Sequence, residues 1–149
     1  LNVASLDDIL NFSKNQPPYL QQLVEKFLPG PLTIILKAND KVPYWVNSDL
    51  MTVGFRMPNH PVTLELIREF GPLIGPSANI SGQASGVTFK EILKDFDQEV
   101  FGVEDDAYLT GQDSTILDLT GKKVRILRQG SITQEDILTK IPEIPFEEV

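Results

Sequence analysis

Leu32-Thr-Ile-Ile-Leu-Lys37, set behind the turn Pro29-Gly-Pro31, decides the fold class of this chain. Up to Leu36 its residues are β-branched or apolar on both faces of an extended strand, which suits the interior of a sheet better than its edge. Immediately upstream, Pro17-Pro18 leads into Tyr19-Leu-Gln-Gln-Leu-Val-Glu-Lys-Phe27, where apolar residues at 19, 20, 23, 24 and 27 have helical spacing after a proline start. Downstream, residues 39–47 read as a loop and Met51-Thr-Val-Gly-Phe-Arg56 as a second strand that ends in a cation. Pro58 and the stretch from His60 to Phe70 predict the helix that follows it.

Further out, Gly71-Pro-Leu-Ile74 predicts a short strand running into the polar loop Gly75–Gly86, the most loop-like stretch of the chain. Thr88 is placed to cap a helix reaching about Phe96. Ser114-Thr-Ile-Leu-Asp-Leu119, Gly121 and Val124-Arg-Ile-Leu-Arg128 have the strand, turn, strand order of a hairpin, ended by Gly130. Ser5 with Asp8 and Thr133 with Asp136 have capping-box spacing at the starts of the first and last helices, and Leu1–Ala4 reads as a strand entering the first. Strands and helices mixed in this order, with at least one hairpin, predict an α/β fold: a twisted mixed parallel and antiparallel sheet with flanking helices.

Composition bounds what such a domain can do. The chain has 149 residues, 41% hydrophobic and 23% charged, which is enough for one domain, 1–149, with a core of its own. No apolar run is long enough to span a membrane and no signal peptide is readable, so a cytoplasmic location is the expectation. The absence of cysteine excludes disulfides, thiolate nucleophiles and Cys-based zinc sites, and the single histidine leaves no cluster of soft ligands. Any metal is expected to be Mg²⁺ arriving with a phosphate ligand. A net charge of −8 argues against a surface that grips nucleic acid throughout. The acidic run Glu104-Asp105-Asp106 and the tail from Ile141 to Val149 both read as solvated surface.

The candidate site residues are hydroxyls, amides and cations at strand ends: Thr52, Arg56, Ser77, Asn79, Ser81, Ser114 and Arg128. Such a set binds and orients anions rather than attacking them, since His60, near a helix start, has no second histidine to work with. Arg56 closes a strand of small and apolar residues, where a planar guanidinium suits a carboxylate or phosphate; a surface ion pair is the alternative. Ser77 and Asn79 stand two apart, so in extended geometry both face one way, although taken alone an Asx or Ser turn serving only its own loop is the favoured explanation. Ser114 opens one hairpin strand and Arg128 closes its partner, so pairing brings these ends together.

Five segments taken together resemble the YrdC-like family of threonylcarbamoyl-adenylate synthases. They are Phe27-Leu-Pro-Gly-Pro-Leu-Thr33, Thr52-Val-Gly-Phe-Arg-Met-Pro-Asn-His-Pro61, Gly75-Pro-Ser-Ala-Asn-Ile-Ser-Gly82, Asp113-Ser-Thr-Ile-Leu-Asp-Leu-Thr-Gly121 and Arg125-Ile-Leu-Arg-Gln-Gly-Ser-Ile132, in the family's usual order. The resemblance implies a nucleotidyltransferase that joins L-threonine, bicarbonate and ATP into threonylcarbamoyl-AMP and pyrophosphate, the activated donor for modifying adenosine in tRNA. It implies that Arg56, Ser77 and Ser114 hold threonine, and that Thr52, Asn79 and Arg128 hold ATP with its Mg²⁺. A transferase complex that consumes the donor is implied as a partner. The alternative is a YrdC-like module that binds double-stranded RNA or a nucleotide without synthesis. A further alternative is a relative that transfers a carbamoyl group. The family's Thr-rich first strand and Lys-x-Arg motif precede the strand at which this chain starts, so the domain is expected to be N-terminally incomplete.

Overall fold

The computed structural model describes residues 1–97 and 100–148. They form two compact units, one from Leu1–Ile74 with the chain from Gln112 onward, the other from Gly75–Gly111. In chain order the elements are α1 (Leu6–Phe12), β1 (Ser13–Lys14), α2 (Leu20–Phe27), β2 (Leu32–Ala38), α3 (Tyr44–Asn47), β3 (Thr52–Arg56), α4 (Pro61–Phe70), α5 (Phe89–Asp95), β4 (Thr115–Asp118), β5 (Arg125–Arg128) and α6 (Gln134–Lys140). Only α5 belongs to the second unit.

β2 is the central strand that its sequence predicts. β3 pairs antiparallel along one edge of it, from Thr33 opposite Arg56 to Lys37 opposite Thr52. The other edge is shared: β4 runs parallel against Leu32–Ile35, and β1 pairs antiparallel with Lys37 and Ala38. β5 then pairs antiparallel with β4, through an irregularity between Ile116 and Leu117. The strands expected at 1–4 and 71–74 shrink to bridges at Asn2, which meets Arg56 on one side and Leu73 on the other. The sheet is therefore mixed, as the pattern of strands, helices and hairpin requires.

Strand alternation sorts the side chains between two faces. Leu32, Ile34 and Leu36 of β2, with Val53 and Phe55 of β3 and Leu117 of β4, are buried against Ile9 of α1, Leu20, Leu23 and Val24 of α2, and Ile137 of α6. Burying each such side chain stabilises the fold by roughly 1.5–3 kcal/mol. Thr33, Ile35 and Lys37 point the other way, together with Thr52, Gly54 and Arg56, and are less covered. So β2 is central in pairing, yet only one of its faces is fully buried. That second face carries the polar side chains of interest.

Helix starts follow the side-chain caps read from the sequence. The Ser5 hydroxyl accepts from the Asp8 amide at 3.1 Å, while the Asp8 carboxylate reaches back to the amide of Ala4 at 3.0 Å. Thr133 and Asp136 form a full capping box on α6, as do Thr88 and Glu91 on α5. His60 is the N-cap of α4, its Nδ1 accepting from the Thr63 amide at 3.3 Å, which gives the lone histidine a structural task. Among the described residues no helix is long and apolar enough to cross a membrane.

Two expectations are corrected. Residues 39–47 are not all loop, because Tyr44–Asn47 closes one helical turn. The acidic tail is not simply solvated surface either: Ile141 and Ile144 are buried in the core, and Phe146 bridges Val124. Its glutamates face outward, with Glu143 accepting from Gln22 at 2.8 Å, so the charge masked an apolar stripe beneath it.

Candidate functional site

Where β2 starts, its neighbours on both edges bring a strand end to the same place. Arg56 is the last residue of β3 and lies opposite Thr33. Ile116 of β4 is level with Thr33 on the other edge, and Ser114, two residues earlier, belongs to the same face. Arg128, the last residue of β5, pairs with Ile116. The predicted approach of Ser114 and Arg128 is realised directly: Arg128 Nε donates to the Ser114 carbonyl at 3.0 Å, and Arg128 Nη2 donates to Ser114 Oγ at 3.1 Å.

Ser114 is only 3% exposed, and its hydroxyl is held twice, by Arg128 and by Thr33, whose Oγ1 lies 3.1 Å from Ser114 Oγ. The bend that carries it is supported from below. Thr115 Oγ1 donates to the Ile132 carbonyl at 2.6 Å and accepts from the Gly130 amide at 2.9 Å. Gly130 is required here by close approach, since a Cβ at that position would lie 2.4 Å from the Asp113 carbonyl oxygen and 2.5 Å from the Thr115 nitrogen.

The charges favour an anion. Desolvation lowers the proton affinity of the Arg56 guanidinium first, the nearby Arg128 cation lowers it further, and Asp113 opposes both. Arg128 lies 3.7 Å from the Asp113 carboxylate, whose side chain is 80% exposed and hence a weak, screened partner. The Arg56 side chain forms no ion pair among the described residues. Two cations thus lie near one solvated carboxylate, and among the described residues only Arg128 pairs with it. A ligand carboxylate or phosphate would complete the balance, and guanidinium groups offer it paired donors.

The remaining predicted residues are placed differently. Thr52 begins β3 opposite Lys37, four residues and about 13 Å of strand from Arg56 on the same face. Its carbonyl accepts from Asn47 Nδ2 at 3.1 Å. Ser77 and Asn79 belong to the second unit. Ser77 is exposed there, whereas the Asn79 amide donates to the carbonyls of Ile80 and Gln83 at 3.0 and 3.1 Å and accepts from Ser85 Oγ at 3.0 Å. In this structure Asn79 therefore closes its own loop. Among the described residues no group of three or more acidic or histidine side chains could hold a metal ion.

A family model for Sua5, YciO and YrdC proteins, described as telomere recombination, matches residues 1–130. The chain belongs to the Sua5/YciO/YrdC family. Within it, the chain is 34% identical over 146 residues to a threonylcarbamoyl-AMP synthase of Pyrococcus abyssi, an alignment covering 97% of this chain and 43% of the relative. It is 35% identical over 140 residues to the threonylcarbamoyl-AMP synthase of Bacillus subtilis, covering 92% of this chain and 40% of that one. The chain thus spans less than half the length of these two family members. P. abyssi Sua5 complexed with L-threonine superposes with a TM-score of 0.85 at 34% identity, over 98% of this chain and 44% of that structure. YciO of E. coli shares the fold, with a TM-score of 0.79 at 24% identity over 91% of this chain and 67% of its own.

Sua5/YciO/YrdC membership fits the five segments read from the sequence, and the structure brings Thr33, a member of the first, into contact with Ser114. Thr33 ends the segment Phe27–Thr33 but received no role from sequence reasoning, because a threonine in an apolar strand reads as β-propensity. The signal was present in the alternation, which sets Thr33 on the side of the sheet opposite Leu32 and Ile34.

Proposed function

We propose that this domain is the synthase domain of a threonylcarbamoyl-AMP synthase, forming threonylcarbamoyl-AMP and pyrophosphate from L-threonine, bicarbonate and ATP. The observation that carries this reading is the convergence of Arg56, Arg128 and Ser114 at the start of β2. A small anionic substrate meets two cations and a fixed hydroxyl there. The L-threonine in the related P. abyssi structure supports threonine as the substrate.

Chemically, the threonine amine captures bicarbonate as a carbamate, its N–C bond replacing a bicarbonate C–O bond as water is lost, and a carbamate oxygen then attacks the α-phosphorus of ATP while the bond to pyrophosphate breaks. No covalent enzyme intermediate is needed, so the residues required are those that align two anions and offset their repulsion. Arg56 takes the threonine carboxylate and Arg128 the nucleotide phosphates. Thr52, about 13 Å from Arg56 along β3, suits the distal part of an extended ligand such as the acyl adenylate. Mg²⁺ would come with ATP, whose phosphates would supply most of the ligands of this hard cation. The product is an activated acyl donor, so a transferase that modifies tRNA must consume it.

Pyrophosphate release from the protein encoded by the complete reading frame tests the proposal. Release that requires threonine and bicarbonate together, and that falls at least tenfold in Arg56→Ala, is the expected result. Release that is independent of threonine, or unaffected by loss of Arg56, would refute it.

A further inference from the structure

Ser114 must present its hydroxyl to a ligand, yet a serine rotor is free unless something holds it. A hydroxyl has one proton and two lone pairs. Arg128 Nη2 fills one lone pair of Ser114 Oγ at 3.1 Å, and Thr33 Oγ1 lies at the same distance. These two partners differ in permanence. The Arg128 side chain is 43% exposed and also faces the solvated carboxylate of Asp113, whereas Thr33 sits in mid-sheet, flanked by β3 and β4. Being β-branched, it is stiff at χ1. Its methyl lies over Gly54, where an added Cβ would come within 3.4 Å of it, and its hydroxyl meets Ser114 of the segment leading into β4.

We propose that Thr33 is the positioning residue for Ser114: its hydroxyl donates to Ser114 Oγ and so leaves the Ser114 proton aimed at a ligand oxygen. When Arg128 turns to the nucleotide phosphates, Thr33 remains as the fixed partner. This inference rests on the proposed function, because it takes threonine as the ligand at Ser114.

The test compares Thr33→Val, which keeps the shape and removes the hydroxyl, with Thr33→Ser, which keeps the hydroxyl. Threonine affinity is measured by calorimetry, and the KM values for threonine and ATP by pyrophosphate release. Thr33→Val is expected to weaken threonine about 3- to 10-fold, the effect of one neutral hydrogen bond, with the KM for ATP within about twofold. Thr33→Ser is expected to stay within about twofold of the unmodified protein, and in a Ser114→Ala background the valine effect should vanish. Wild-type affinity in Thr33→Val, or equal weakening with and without Ser114, would overturn the assignment. Should the unmodified protein bind no threonine, the substrate reading falls by itself. The NMR signals of the Arg128 side-chain N–H groups then decide the positioning role: a shift and faster exchange in Thr33→Val support it, and unchanged signals refute it.

Discussion

Substituting Gly130 by alanine places a methyl carbon 2.4 Å from the Asp113 carbonyl oxygen, 2.5 Å from the Thr115 nitrogen and 2.7 Å from the Ser114 carbonyl carbon. All three atoms are backbone, so no side chain can swing aside. The methyl is roughly 1 Å inside the optimal contact of about 3.5 Å, and the segment carrying Ser114 must move by that amount. Overpacking of this kind costs about 1–3 kcal/mol, and the displaced Gly130 amide to Thr115 Oγ1 bond adds about 1 kcal/mol, giving about 2–4 kcal/mol in all. With a urea m-value of about 1.5 kcal/mol/M, the unfolding midpoint should fall by about 1.3–2.7 M. The same hairpin supplies the control. At Gly121 an added Cβ meets Lys123 no closer than 3.5 Å, an ordinary contact, so Gly121→Ala should shift the midpoint by less than about 0.3 M, the scale of a neutral surface change. Urea unfolding followed by circular dichroism, with the m-value checked for constancy, makes the comparison. If Gly130→Ala unfolds at the same midpoint as Gly121→Ala, the close-approach reasoning is wrong.

Two further predictions follow from the charges. Arg56→Lys keeps one positive charge but loses the planar pair of donors, and should weaken threonine roughly tenfold or more by calorimetry while the thermal midpoint stays near that of the unmodified protein. Asp118 is 6% exposed. Burial raises its carboxyl pKa, but bonds from the Thr120 hydroxyl and amide and from Arg125 at 2.6 Å outweigh burial, so the folded pKa lies below the ordinary carboxylate value. The sign follows from that depression: the contribution is complete above the unfolded pKa of about 3.9 and is lost as pH falls through the lower folded value. Asp118→Asn should therefore cost about 1–3 kcal/mol at pH 7, and its urea midpoint should lose less than that of the unmodified protein as pH falls below 4. A loss of stability in acid as steep as the parent's would exclude Asp118 as its source.

Much of the fold was legible because local chemistry and tertiary packing agree. The apolar run at 32–37 became the central strand, the 114–128 hairpin formed as spaced, and the caps at Ser5, Thr88 and Thr133 all accept the amides that their spacing predicts. What escaped was set by distant neighbours. Ser13 and Lys14 are a strand only because Lys37 and Ala38 extend β2 past the end of β4, and nothing local marks them. In the tail, glutamates at 143, 147 and 148 outweighed Ile141 and Ile144 in any reading of charge, although the spacing of the isoleucines matches burial. At the site, the pairing of Ser114 with Arg128 followed from hairpin geometry. The part played by Thr33 depended on a contact 81 residues away, which no local pattern encodes.

That separation also bears on the order of folding. β3 follows β2 after a connection over residues 39–51 that includes α3, far shorter than the chain between β2 and β4, so Arg56 and Thr33 come together through nearer chain and at lower loop-closure cost. Ser114 reaches Thr33 only after the parallel pairing of β2 with β4 closes across the whole intervening segment, and parallel, long-range pairings are slow to form. A nascent or partly unfolded chain is thus expected to hold its first cation in place well before its hydroxyl and second cation arrive. On the proposed function, anion recognition would then appear only once that parallel pairing has closed, and be lost whenever it opens.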